Sequence, residues 1–306
     1  MKPVLDRNQG SFLYCPAPAK LNLFLHVTGQ RADGYHLLES AFQLIDRSDT
    51  LHFQLRDDSK IVRSNEIAGV PAESDLVVRA ARLLQSHTET GQGVQITLDK
   101  NLPMGGGLGG GSSDAATTLI ALNTLWNTNL TRGELMELGL RLGADVPFFL
   151  FGQNAFAQGI GEQLTPLATP DCWYVVIEPG VSVPTPAIFS SKALTRNSPS
   201  IKVSDFHRYP LGNWRNDLQG VAVQLFPEVL FAIERLSEVA AEYGNAKMTG
   251  SGSCVFCACD NEAAADRILG DISDQFDTVL QNKQSKWKTW KAKSLREHPL
   301  AHWIKS

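Results

Sequence analysis

The chain has 306 residues, 43% of them hydrophobic and 20% charged, an ordinary globular composition and long enough that two domains are expected. A formal net charge of -4 gives no general attraction to nucleic acid or to an anionic membrane surface, and no apolar run is long enough to cross a bilayer. Cys15, Cys172, Cys254, Cys257 and Cys259 have no framework spacing and the start has no apolar leader, so free thiols in a cytoplasmic protein are expected.

In chain order, the first third reads as β-rich. Residues 20–28, KLNLFLHVT, alternate, with Leu21, Leu23, Leu25 and Val27 on one face. Lys20 is unusual on such a core strand and is more at home at an edge. Asp33-Gly34 marks a turn. Residues 37–46 and 51–55 are strand-like, 75–88 take helical spacing, and 94–98 return to a strand. After a glycine run, Ala115, Ala116, Leu119, Leu122 and Leu125 recur near a period of 3.6 and predict a helix over 113–126. Thr131 opens another helix, with Glu134 in capping-box register.

Composition shifts after about residue 164, dividing the chain into 1–164 and 165–306. In the second part WYVVIEPG reads as a strand and residues 190–212 are polar and unpatterned. Helices are expected at 227–243 and 263–276. KMTGSGSCVFCAC, 247–259, reads as a small glycine loop feeding a strand. That alternation makes Cys254-x-x-Cys257 a strand feature rather than a metal site. The tail 283–296, KQSKWKTWKAKSLR, is basic with two tryptophans. In an acidic chain it reads as a final edge strand whose lysines face water, not as a nucleic-acid site.

Residues 103–116, PMGGGLGGGSSDAA, hold six glycines in seven positions. Glycine carries the largest entropy cost of ordering, so the run implies positive φ or a close approach to the backbone. A glycine loop opening a helix suits phosphate, because bare amides converge on oxygens at the positive end of the helix dipole. The lysine of the P-loop pattern is missing. In GADVPFF, 143–149, Asp145 stands among apolar residues, either as a helix cap or as a placed base.

Three segments together resemble one family. PMGGGLGGGSSDAA resembles the ATP-binding signature of the GHMP kinase superfamily, and MTGSGSCVF its C-terminal glycine motif. PAKLNLFLHVTGQRADGYHLLES with GADVPFF is similar to the branch that acts on 4-diphosphocytidyl-2-C-methyl-D-erythritol in non-mevalonate isoprenoid biosynthesis. The resemblance runs from about residue 17 to 256 and fades over 190–245 and in the tail. It implies an α+β fold: a ribosomal-S5-like N-terminal domain that binds ATP, a ferredoxin-like C-terminal domain, and an active site between them. The implied reaction moves the γ-phosphoryl of ATP, with Mg2+, to the 2-hydroxyl of the cytidylyl substrate, in a monomer or homodimer.

The resemblance also implies roles. Asp145 is the base and Lys20 its charge partner. Pro103, Met104, Gly105, Gly106, Gly107, Leu108, Gly109, Gly110, Gly111, Ser112 and Ser113 contact ATP, with Lys100 alongside the nucleotide and Ser112 or Ser113 within reach of magnesium. Tyr35 and Phe189 stack on opposite faces of the cytosine, His36 bonds its edge, and Asn22 and Thr185 are polar positions around the substrate. Asp75 stands where the family often has asparagine, and is expected to accept a bond from the adenine amino group. The rival expectation is a nucleotide-binding sensor or partner module of the same fold without chemistry, which the retained Lys20 and Asp145 oppose.

Overall fold

The computed structural model describes residues 4–6, 11–279 and 287–304. Its spine is a long antiparallel hairpin of β2 (Ser11–Gln30) and β3 (His36–Arg56), closed by the Asp33-Gly34 turn with Gly34 at φ 90. A short β1 (Val4–Asp6) pairs with β2, and β4 (Ile61–Arg63) runs parallel to β5 (Gly93–Asp99), which pairs with β3. Helix α1 (Leu76–Thr88) precedes β5. Then come α2 (Gly110–Leu125), α3 (Arg132–Leu140) and α4 (Val146–Phe151), followed by β6 (Ala155–Gln158) and β7 (Gln163–Pro166).

The second half carries β8 (Trp173–Glu178), α5 (Thr185–Ser190), α6 (Val203–Arg208), α7 (Gln219–Leu225) and α8 (Pro227–Val239). It ends with β9 (Lys247–Met248), β10 (Val255–Cys259), α9 (Glu262–Val279) and β11 (Lys288–Leu295). No described helix is long and apolar enough to cross a membrane.

The main strand order is β1-β2-β3-β11-β8-β10-β9. The last strand is therefore central and not the expected edge. It pairs with β8 over Lys288–Lys293, then with β3 at Ser294 and Leu295, and so joins the two halves. The alternation has the expected sides. Trp290 and Ala292 are buried, and the Trp290 indole donates to Glu178 Oε1 at 2.6 Å, while Lys291 reaches Glu262 and Asp266. Residues 283–286 of the basic tail lie outside the described residues.

Strand β2 feeds three separate cores. Phe12, Cys15 and Ala17 join the cluster under α1 and α2. Leu21, Leu23 and Phe24 pack with Tyr174, Phe256 and Trp290, and Leu25 and Val27 join the cluster under α7–α9. The single face expected for Leu21 to Val27 fails because a bulge falls between Asn22 and Phe24, and an inserted residue reverses the side-chain alternation. Helix α2 also differs from a one-faced pattern, being buried from Ser113 to Asn123 by sheet on one side and helices on the other. Thr131 and Glu134 make the expected capping box on α3. All five cysteines are free and buried.

Candidate active site

Beyond residue 13 the outer edge of β2 is covered by loops, and its amides organise the site. The amide of Lys20 donates to Leu108 O at 2.9 Å, that of Asn22 to Thr249 Oγ1 at 3.0 Å, that of Leu25 to Arg215 O at 3.1 Å and that of Val27 to Asp217 Oδ2 at 2.8 Å. One strand edge thus holds both glycine motifs. The motifs also hold each other: the amides of Ser253 and Cys254 donate to Gly105 O and Gly106 O at 3.2 and 3.1 Å. Together with β3, α5 and the start of α2 they wall a cleft of about 1100 Å³.

Gly105, Gly107 and Gly109 take φ of 68, 74 and 73. Alternating left-handed residues turn successive amides to one side, the geometry of an anion nest. Among the described residues, the amides of 105–109 have no acceptor. The glycines themselves divide into two groups. A Cβ at Gly107 would lie 2.1 Å from Thr249 O, one at Gly105 2.5 Å from Ser182 Oγ and one at Gly106 2.8 Å from Cys254 Sγ. Close packing of protein on protein demands these glycines. A Cβ at Gly110 would still be tight, 3.3 Å from Leu102 Cβ, and only at Gly111, with Leu76 Cδ1 at 3.5 Å, does the missing side chain leave room.

Lys20 and Asp145 meet at the end of this loop, Nζ to Oδ2 3.7 Å. The Lys20 side chain is 4% exposed, and a buried ammonium needs compensation. It donates to Asn22 Oδ1 at 2.5 Å and lies 5.3 Å from the Phe42 ring centroid. Asn22 is held in turn, donating through Nδ2 to Ser40 Oγ at 2.8 Å. Asn22 therefore orients the lysine as well as lining the cleft. Asp145 occupies the N-cap position of α4 but makes no capping bond. Its 37% exposed carboxylate lines the cleft, so the side chain faces the cleft and does not cap α4.

The far end of the cleft is built from side chains. Tyr35 projects from the hairpin turn, 60% exposed. His36 is buried at the start of β3, its ring 4.9 Å from that of Phe189 on α5. Burial, and then the Arg196 charge, hold the His36 imidazole below its usual range. Thr185 Oγ1 lies 2.7 Å from Ser251 Oγ, tying α5 to the C-terminal glycine motif.

Pro103, Met104, Gly105–Gly111, Leu108, Ser112 and Lys100 all line the cleft. Lys100 is fixed there, donating to Asp49 Oδ2 at 2.5 Å and Asp114 Oδ2 at 2.9 Å. Burial pushes the Asp114 carboxyl well up despite that ammonium. Ser113 departs from expectation: it is fully buried on α2, outside the cleft lining, while Ser112 lines the cleft. Asp75 also lines the cleft, where its Oδ1 accepts from the Val77 amide as the α1 N-cap and its Oδ2 pairs with Arg63.

Among the described residues no three acidic, imidazole or thiol groups converge on a metal position. The oxygens of Ser112 and Asp145 suit a magnesium ion carried by phosphates, since Mg2+ keeps most of its shell as water and phosphate oxygen. Four further residues carry no expectation from sequence: Ser40 lines the cleft, while Arg196, Thr249 and Asp49 hold the lining side chains His36, Asn22 and Lys100. Thr249 lies inside a glycine motif, whereas Ser40, Asp49 and the Arg196–His36 bond depend on contacts made across the fold.

Two family models match, GHMP kinases N terminal domain over residues 75–153 and GHMP kinases C terminal over 203–278. A 4-diphosphocytidyl-2-C-methyl-D-erythritol kinase of Herminiimonas arsenicoxydans is 61% identical, the match covering 94% of this chain and 96% of that protein. One from Cupriavidus metallidurans is 57% identical, covering 94% of each. The crystal structure of a 4-(cytidine 5'-diphospho)-2C-methyl-D-erythritol kinase superposes with a TM-score of 0.75 at 33% identity, over 91% of this chain and 98% of that one. A homoserine kinase from Cytophaga hutchinsonii, at 18% identity and a TM-score of 0.67 over 96% and 98%, shares the fold.

Proposed function

The chain belongs to the GHMP kinases and, among them, to the 4-diphosphocytidyl-2-C-methyl-D-erythritol kinases, and from that premise we propose that it moves the γ-phosphoryl of ATP to the 2-hydroxyl of 4-diphosphocytidyl-2-C-methyl-D-erythritol, with Asp145 as base. It is a small-molecule kinase of α+β fold. The observation that carries the residue assignment is the Lys20–Asp145 pair, set 3.7 Å apart in the cleft with the carboxylate released from helix capping.

Phosphoryl transfer asks little covalent chemistry of the protein and much positioning. The amides of 105–109 and the start of α2 receive the phosphates. Ser112 and Asp145 would lie within reach of a magnesium ion bound with the nucleotide, which would supply neutralisation of the phosphate charge. Asp145 accepts the proton of the attacking hydroxyl. The Lys20 ammonium, held by Asn22, stabilises the negative charge that develops on the oxygens beside it. At the other end Tyr35 and Phe189 take the faces of the cytosine and His36 its edge, with Asn22 and Thr185 between the two ends.

The test is ADP formation from Mg-ATP with and without the cytidylyl substrate, in the wild type and in Asp145→Asn. Substrate-dependent ADP that the variant loses supports reaction and base together. No substrate-dependent ADP from a protein that binds ATP tightly rejects this substrate. Near-normal turnover in the variant rejects the base.

A further inference from the structure

Residues 190–217, the least patterned stretch of the sequence, are held against the β2–β3 hairpin by buried polar groups. Glu39 accepts from Ser200 Oγ at 2.6 Å and from the Ile201 amide at 2.9 Å. Asp217 accepts from Ser198 Oγ at 2.5 Å and the Val27 amide at 2.8 Å. At the head of the segment stands Arg196. Its Nε donates to His36 Nε2 at 3.0 Å. Its Nη2 donates to Phe189 O at 2.8 Å and Ser191 O at 2.9 Å, and its Nη1 to Leu194 O at 3.1 Å.

This guanidinium joins the two side chains that line the far end of the cleft. It holds the C-terminal carbonyls of α5, where Phe189 sits, and it holds the imidazole ring against which Phe189 packs. It also determines where the proton on that ring lies. A guanidinium has donors only and keeps its proton. His36 Nε2 must therefore accept, so the ring is neutral and its hydrogen is on Nδ1. Among the described residues Nδ1 has no partner, and His36 lines the cleft. We infer that Arg196 is a positioning residue for nucleobase recognition, fixing His36 as a neutral Nδ1–H donor and holding Phe189 at stacking distance beside it.

The inference rests on the cytidylyl reading for its ligand, but its structural half stands without a ligand. The recognised edge is one that offers an acceptor to the Nδ1–H. Cytosine does so at N3 and O2; uracil carries hydrogen on N3 but keeps O2, so the Nδ1–H selects between them only if it bonds N3. Other charges nearby are engaged elsewhere: Arg31 pairs with Asp33 on the turn, Glu39 is bonded as above, and Glu162 takes the Ile160 amide. Arg196 is the charge that bears on the ring.

The decisive experiment is a nitrogen-15 spectrum of the His36 imidazole in the ligand-free wild-type protein and in Arg196→Gln, with steady-state kinetics of both. The wild-type ring is expected as the neutral Nδ1–H tautomer at neutral pH. In Arg196→Gln the ring titrates or changes tautomer. The KM for the cytidylyl substrate then rises about tenfold, the loss of one charge-assisted hydrogen bond, while the KM for ATP stays put. Arg196→Lys, which keeps the charge but not the fork, recovers part of the loss. An Nε2–H or freely titrating His36 in the wild type overturns the inference, as do unchanged kinetics in Arg196→Gln or an equal rise in both KM values. The spectrum needs no substrate, so a failure of the proposed reaction leaves it readable.

Discussion

The two ends of the cleft are made by different means. At the phosphate end the protein uses backbone: amides turned to one side by glycines at positive φ, carbonyls bonded across to the second glycine motif, and a strand edge that holds both. At the end proposed for the nucleobase it uses side chains, an exposed Tyr35, a buried His36 and a Phe189 on a six-residue helix, the last two held together by one arginine 160 residues from the histidine. Backbone geometry requires a particular residue type and so marks the sequence. A side-chain assembly can be built from ordinary residues and leaves no local mark.

The largest expected effect is at the phosphate end, where Asp145→Asn keeps the volume and removes the base. Turnover should fall by roughly 10²–10⁴ with melting behaviour unchanged, since the carboxylate makes no capping bond. Loss of fold in that variant would mean that the carboxylate holds the structure together and does not serve only the ligand.

Next is the division within the glycine run. Gly107→Ala puts a methyl 2.1 Å from Thr249 O at a φ of 74, and should cost about 3 kcal/mol or more of stability as strain and clash combine. Gly111→Ala meets only Leu76 Cδ1 at 3.5 Å. Its stability should stay level or rise by up to about 1 kcal/mol, since alanine favours a helix, while the KM for ATP increases. Thermal melts and ATP kinetics on the pair test this. A stable Gly107→Ala with impaired ATP binding would return that glycine to the ligand.

The same contrast explains what the sequence made legible. The hairpin turn, the capping box at Thr131 and the two glycine motifs each depend on residues close in the chain, and were readable. Lys20 and Asp145 were unusual for their settings but acquired a joint meaning only through the family resemblance. Arg196 has no local signal because the partner that gives it a role, His36, meets it only in three dimensions. The central place of β11 was hidden for a similar reason: one alternating pattern of tryptophan and lysine serves a half-buried edge or a strand between two sheets. The glycine run misled in one respect. Glycines in a phosphate loop suggest space for the ligand, yet three of the first four here are demanded by contact with protein atoms.

At the nucleobase end the effects are smaller and should appear in one substrate alone. Tyr35 is 60% exposed, so Tyr35→Ala should leave the melting temperature unchanged. The KM for the cytidylyl substrate should rise about tenfold, the worth of one stacked face, with that for ATP unaltered. Equal effects on both KM values would merge the two ends into one cooperative site and remove the distinction drawn here.

The smallest effect near neutrality comes from behind the phosphate end. His298 is buried against α2, its Nδ1 accepting from the Leu300 amide at 3.1 Å and its Nε2 3.4 Å from Thr117 Oγ1. Burial, and then the Arg132 charge, push this imidazole down to about 3 from 6.5. The unfolded chain therefore binds a proton that the folded one refuses between these values, and stability falls as pH drops through that window. From about pH 7.5 to 6 the loss should be below about 1 kcal/mol, steepening toward about 1.4 kcal/mol per pH unit lower down. His26 and His36 are also held low by burial and act in the same direction, so a melt of the wild type alone cannot assign the slope. His298→Gln should melt lower at pH 7.5 but lose less on acidification, by denaturant unfolding at a series of pH values. An unchanged slope would assign the proton to the hairpin imidazoles, and acid would then weaken the nucleobase end before the phosphate end.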